Sequence, residues 1–401
     1  MKFKQWHPAL LASLVLWALQ PAASLAAETG VTDTEITIGL FGPMSGQLAA
    51  FGLDPVQAAR MWYEEVNKKG GIHGRKIKVI VEDDKCSPAD AVAVVKKFAT
   101  VDKTFMANGG SCSAAAVATQ EFATREKFPM VMLNAAGDAA VIPPTRYVFG
   151  AFGGTQRAVG GTIMEFAIKE LRGKKIAYIA DDNDFGNANW AVAKAVAERM
   201  GSQVVAVERI PPNITDVTAP LLKIRAANPD VIVSTSYPAA TVLIAQKYAE
   251  FGMTKIPLVV AVQGVPVPAT FAKNVGNDAA LVNFYYGSPL NDLTDGPKQQ
   301  KWIALYKQYY PDRVPGAFMT YGLPSAMAIT RALDKAGRDL TREKFVSALE
   351  TVDFDTEVLA GPIAFSQTRR DGHRSSIFIK FDGIKHTQMP GFYNWNGKDG
   401  M

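Results

Sequence analysis

Short apolar runs alternate with longer amphipathic segments along most of this chain. Strands are predicted over Glu35–Phe41, Lys76–Val81, Thr104–Ala107, Pro129–Leu133 and Tyr147–Phe152. Helices are predicted between them over Pro55–Lys68, capped at Asp54 or a neighbour, Ala89–Phe98 and Ala114–Arg125. A second series follows, with strands Lys175–Ala180, Gln203–Glu208, Asp230–Thr235 and Pro257–Val262. Its helices are Gln156–Leu171, Ala188–Met200, Val217–Ala227 and Ala239–Phe251. Alternation of this kind predicts parallel sheets with right-handed crossovers, hence two doubly wound α/β lobes. The C-terminal third has one strand, Leu281–Tyr286, then helices Lys298–Tyr309, Pro315–Ala336 and Thr341–Thr351. Gly361–Met389 reads as a hairpin turning at Asp382-Gly383. Helices without fresh alternating strands are expected to complete the existing lobes, so the chain crosses between lobes more than once. The expected division is 28–152 with 284–360, and 153–283 with 361–401.

Residues 1–27 stand outside this pattern. Lys2 and Lys4 precede an apolar core, Ala9–Leu19, and a small-residue stretch, Ala22–Ala27. That is the layout of a secretory signal, too short to span a bilayer. A soluble exported protein, in the periplasm, is expected. Export bears on Cys86 and Cys112, the only cysteines. In an oxidising compartment they read most simply as one disulfide, with two free buried thiols as the alternative. Net charge is +5 and no dense basic run occurs, so no nucleic-acid partner is expected.

The chemistry-bearing residues argue against catalysis. The histidines have no ligand spacing, so no metal is expected. Asp83-Asp84 and Asp181-Asp182 read as turn formers and caps. Gly110-Ser111-Cys112-Ser113-Ala114 fails the G-x-S-x-G pattern, and Gly150–Gly154 fails the dinucleotide fingerprint. No cofactor and no enzyme activity are expected. Small, hydroxyl and aromatic residues instead gather in loops at strand carboxyl ends, where open α/β sheets bind ligands. Those loops include Gly42–Phe51, Gly109–Ser113, Asn134–Asp138, Asp181–Phe185, Ser234–Pro238 and Gln263–Val265.

Several motifs then fall in order: Gly42-Pro43-Met44-Ser45-Gly46, Asn67-Lys68-Lys69-Gly70-Gly71-Ile72-His73-Gly74, Asp83-Asp84, Cys86-Ser87-Pro88, Cys112-Ser113 and Asp184-Phe185-Gly186. From Glu35 onward the chain resembles the periplasmic solute-binding proteins of branched-chain amino acid (leucine/isoleucine/valine-binding) ABC transporters. The resemblance implies a type I periplasmic-binding-protein fold, two lobes joined by a three-crossover hinge and closing on a small ligand. It also implies a Cys86–Cys112 disulfide, and delivery of the ligand to ABC transporter permease subunits by what is expected to be a monomer.

In that family a Ser and a Thr hold an amino acid's carboxylate, and an acid of the second lobe meets its ammonium. Here the corresponding positions read Ser113, Gly137 and Gln263, and the family's loop Tyr reads Phe185. A buried ammonium needs a compensating carboxylate, and Gln263 offers only a dipole. The expected ligand is therefore a small carboxylate without an amine, an aromatic acid such as a benzoate or phenylpropanoid. The expected site is Phe51, Ser111, Ser113, Asn134, Ala135, Ala136, Gly137, Phe185, Ser236, Tyr237, Gln263 and Tyr285. The alternatives are an amino-acid-binding protein of the same class and, more remotely, a ligand-sensing ectodomain.

Overall fold

The computed structural model describes Met1 and residues 28–395, apart from 47, 153–155, 212–213, 266–267, 294–295, 317 and 383. The predicted signal segment after Met1 lies outside the described residues. Two sheets form the frame. The first is fully parallel and holds β1 (Glu35–Gly42), β2 (Lys76–Asp83), β3 (Met106–Gly109), β4 (Met130–Met132) and β5 (Val148–Gly150), in the order β2-β1-β3-β4-β5. Its crossovers are α1 (Leu53–Lys68), α2 (Pro88–Thr100) and α3 (Ser113–Arg125).

The second sheet begins with β6 (Lys175–Asp181), β7 (Gln203–Ile210), β8 (Val231–Thr235), β9 (Leu258–Val260) and β10 (Phe284–Ser288). Its helices are α4 (Gln156–Lys169), α5 (Asp184–Arg199), α6 (Thr218–Ala226), α7 (Pro238–Glu250) and a short α8 (Pro268–Val275) that the sequence pattern does not announce. After α9 (Pro297–Tyr309), α10 (Leu323–Ala336) and α11 (Arg342–Leu349), β11 (Asp353–Phe354) and β12 (Ile363–Ala364) form a small pair. Then β13 (Ser375–Phe381), β14 (His386–Gln388) and β15 (Tyr393–Asn394) add antiparallel strands to the second sheet.

Each sheet is buried on both faces, which is why its strands read as near-continuous apolar runs. Ile36, Ile38 and Leu40 pack with α1 and α10 residues such as Met61, Ile329 and Leu333, while Phe41 packs with Phe98 on the other face. Ile244 and Tyr248 of α7 cover one face of the second sheet, and Phe166 of α4 covers the other. Thus α9–α11 complete the first lobe, as expected of helices without strands of their own.

Three expectations change. The predicted lobe boundary at 284 falls too early: β10 pairs with β9 and β13 inside the second sheet. The predicted return at 361 also falls too early, because Ile363 and Phe365 still belong to the first lobe's core. Asp54 does not cap α1, whose N-cap is Gly52; it is buried and accepts from Tyr306 Oη at 2.9 Å, Arg313 Nη2 at 3.2 Å and Gly316 N at 2.8 Å.

The joining segments touch one another. Gly150 N donates to Arg370 O at 2.8 Å and Gly372 N to Gly150 O at 2.7 Å. Ala360 N donates to Pro289 O at 2.8 Å, and the His373 ring bonds Ala360 O at 3.0 Å. Arg370 and Glu350, both buried, pair at 2.7 Å beside this hinge.

Candidate functional site

The cleft lies between the carboxyl edges of the two sheets. On the first lobe, Ser87 caps α2, accepting from Asp90 N at 3.3 Å, and Pro88 fits its first turn. Cys86, at φ 64, is bonded to Cys112 across a Cα separation of 5.5 Å. Cys112 is in turn the N-cap of α3, so Ser113 opens that helix. Asp83 ties the Gly42–Gly46 loop to this unit, accepting from Met44 N at 2.8 Å and Ser45 Oγ at 2.5 Å. Burial pushes the Asp83 carboxyl up, but the bonds from Ser45, Met44 and Lys85 outweigh it and hold the pKa below its ordinary value. Burial raises that of Asp84, whose carboxylate accepts from Cys86 N at 2.9 Å.

Ser113 and Gly137 meet. A Cβ on Gly137 would lie 3.0 Å from Ser113 Cβ and 3.3 Å from Val117 Cγ2, so a Thr there would crowd the helix start. Ser111 and Asn134 stand at the ends of adjacent strands β3 and β4, both buried. Asn134 Nδ2 donates to Phe51 O at 3.0 Å. Phe51 is half exposed and stacks on Phe318 with centroids 4.8 Å apart. Phe318 meets Tyr321, which lies 4.1 Å from Phe152. Ala136 is half-buried, but Ala135 turns into the first lobe's core and supplies only backbone.

On the second lobe, α5 starts earlier than predicted. Asn183 caps it, accepting from Gly186 N at 2.9 Å, and Phe185 sits in its first turn. Phe185 stacks on Tyr237 at 5.2 Å and 18°. Asp181, at the end of β6, accepts from Tyr237 N at 2.9 Å and so ties the β8 loop to β6. Burial raises its pKa, opposed by bonds from Tyr237 and Ser236. Ser236 itself is buried, within 3.3 Å of Ser234 Oγ. Gln263 lies in a 3-10 turn, Val262–Gly264, directly after β9. Strands β6, β8 and β9 are neighbours, so Asp181, Tyr237 and Gln263 share one edge.

Tyr285 is misplaced in the expected set. Its ring packs against Phe166, 5.7 Å away, in the core beneath α4. Burial alone raises its hydroxyl pKa. Beside the expected set, the structure also brings Phe318, Tyr321, Phe152, Asp138 and Arg157 to this region. Arg157 of α4 crosses the cleft, its Nε lying 3.4 Å from Asp138 Oδ2 and its backbone N donating to the same oxygen at 3.2 Å. A cavity of about 600 Å³ opens here, between Ser113, Val117 and Gly137 on one lobe and Arg157, Asn187 and Val192 on the other. Among the described residues there is no cluster of His, Cys, Asp or Glu fit to hold a metal. No helix among them is long and apolar enough to cross a membrane.

The cleft edges carry a hydroxyl at a helix start, stacked aromatic rings on each lobe and an ion pair between the lobes. Comparison with known proteins agrees in architecture. The Leu/Ile/Val-binding protein homolog 7 of Brucella abortus is 27% identical over 384 residues, covering 92% of this chain and 94% of that protein. A Streptococcus pneumoniae branched-chain amino acid transporter substrate binding protein, solved with isoleucine, has a TM-score of 0.71 at 22% identity, covering 90% of this chain and 100% of the other. An R. palustris ABC transporter solute binding protein, solved with 4-hydroxybenzoate, has a TM-score of 0.72 at 20% identity, covering 90% and 97%. Residues 35–383 match the Periplasmic binding protein family, and with that span the chain belongs to it.

Proposed function

We propose that this protein is the extracytoplasmic binding component of an ABC importer. It takes a small aromatic carboxylate into the interlobe cleft and delivers it to the permease as a monomer. The observation that carries this reading is the pairing of the two edges. Ser113, at the start of α3, offers a hydroxyl and helix-terminal N–H groups to an anion. Across the cleft, the position suited to an ammonium's partner is Gln263, an uncharged amide. The Phe185–Tyr237 stack and the Phe51–Phe318 stack give aromatic surface on both sides. The R. palustris relative bound to 4-hydroxybenzoate supports the aromatic choice.

The second reading is a branched-chain amino acid, supported by the name of the Brucella relative. Titration calorimetry with benzoate, 4-hydroxybenzoate, coumarate and leucine separates the two. Tight leucine binding with no heat from the acids would overturn the first reading. Gln263→Glu should weaken an acid and spare, or improve, an amino acid.

A further inference from the structure

We infer that the ligand carries a neutral hydrogen-bond donor, a hydroxyl, in addition to its carboxylate, and that Asn134 Oδ1 is the acceptor that reads it. This rests on the proposed function and narrows its substrate class to hydroxylated aromatic acids.

The amide of Asn134 has a fixed orientation. Its nitrogen donates to the Phe51 carbonyl at 3.0 Å, and a carbonyl can only accept, so the remaining atom is the amide oxygen. That oxygen is buried and has no partner. A neighbour shows what a core asparagine does in this sheet. Asn108 of β3 accepts from Tyr63 Oη at 3.0 Å and donates to Val131 O at 3.0 Å and Ser325 Oγ at 3.1 Å. Asn134 stands on the adjacent strand's carboxyl edge with its acceptor left over, and both residues are at least nine-tenths buried. Buried polar groups are otherwise paired, so an orphan at a binding edge calls for a partner supplied from outside.

Two further buried, unpartnered atoms stand at strand ends, one on each lobe. Ser111 Oγ, one strand over, is buried and unpartnered and can donate to a carboxylate. Gln263 Oε1, on the opposite lobe, is a second acceptor without a partner. A plain benzoate brings acceptors alone and leaves Asn134 Oδ1 unmet. An ammonium would bring donors, but Asp138, the carboxylate beside Gly137, is already engaged by Arg157. A hydroxyl meets the acceptor without needing a countercharge.

The test is calorimetry on the ligand-stripped mature protein with benzoate, 3-hydroxybenzoate, 4-hydroxybenzoate, their methyl ethers and leucine. At least one hydroxylated acid should bind about tenfold or more tighter than both benzoate and its own ether, since an acceptor left buried and unmet costs about that much. Equal binding of benzoate, or of the ether, overturns the inference while leaving the aromatic-acid reading intact. Leucine binding with no response to any acid overturns both. In Asn134→Leu the hydroxylated acid should lose at least about tenfold more affinity than benzoate does, so that the preference vanishes; a preference that survives removes Asn134 from the role. The wild-type ligand series decides the substrate class even where that variant fails to fold.

Discussion

On the first lobe the cleft edge is tied down by bonds: Cys86 to Cys112, Asp83 to Met44 and Ser45, Asn134 to Phe51. On the second, Phe185 stacks on Tyr237, and Asp181 and Thr241 hold the β8 loop by bonds to Tyr237 and Ser236. The first edge thus presents hydroxyls in fixed places. The second presents faces of rings, which tolerate sliding. A feature common to many ligands, the carboxylate, suits the fixed edge. The variable part of a ligand suits the stacked edge, where contact depends on shape more than on angle. If the proposed function holds, anchoring and selectivity fall on different lobes.

Cutting the ties on the first lobe should have the largest effect. Replacing both cysteines with serine opens a loop of sequence separation 26. About 3.5 kcal/mol of stability should be lost in the chain-entropy view, seen as a lower urea midpoint with a slope no smaller than that of wild type. Ligand affinity should fall with it, because Ser113 directly follows the bonded cysteine; unchanged affinity would separate the staple from the site.

The joining strands come next. His373 is fully buried with its ring on Ala360 O, and burial, aided by Arg369, holds its pKa down at about 4 against an ordinary 6.5. The unfolded chain binds this proton near pH 6.5, whereas the folded chain resists it until about 4. The contribution is therefore complete above pH 6.5 and is lost as pH falls toward 4, by about 3 kcal/mol. Urea unfolding at pH 7 and pH 4.5 should show this slope in wild type and a flatter one in His373→Gln. Equal slopes would free the hinge of this titration.

Removing the anchor alone should cost less. Ser113→Ala should weaken an acid by about tenfold to a hundredfold, the range for a hydrogen bond to a charged group, with little change in stability. If Ser113→Ala and wild type bind alike, the fixed edge is not the anchor. The smallest effect is expected on the stacked edge. Tyr237→Ala should cost an aromatic acid about 0.5–1.5 kcal/mol and an aliphatic acid less. An equal loss for both ligands would erase the division of labour.

Much of the fold was legible because doubly wound sheets impose apolar strands at regular intervals between amphipathic helices. What was not legible depends on distance. Nothing local in Phe284–Ser288 says which sheet it joins, and only pairing with β9 and β13 decides it. Tyr285 and Tyr286 look alike in sequence, but adjacent strand residues face opposite sides, and each entered a different core. Phe318 and Tyr321 had a usable signal, a spacing of three that puts both rings on one helical face. They were absorbed into a longer predicted helix than the one observed, which begins at Leu323. Strand-end position marked the loops, and the family resemblance singled out Ser113, Gly137, Phe185 and Gln263 within them. Asp138 lay in a marked loop but Arg157 did not, because their meeting is a fact of lobe packing.

The first lobe borrows α9–α11 from residues 297–349, beyond β6–β10 of the second sheet. A chain leaving the ribosome or a membrane pore therefore presents β1–β5 long before Ile329, Leu333 and Phe345 can cover them. For that interval one face of the sheet is covered only in part, by α1. Maturation of this protein is thus tied to its final third: a chain broken near residue 290 would carry the strand-end loops of both edges, yet lack Phe318, Tyr321 and the helices that complete the first lobe.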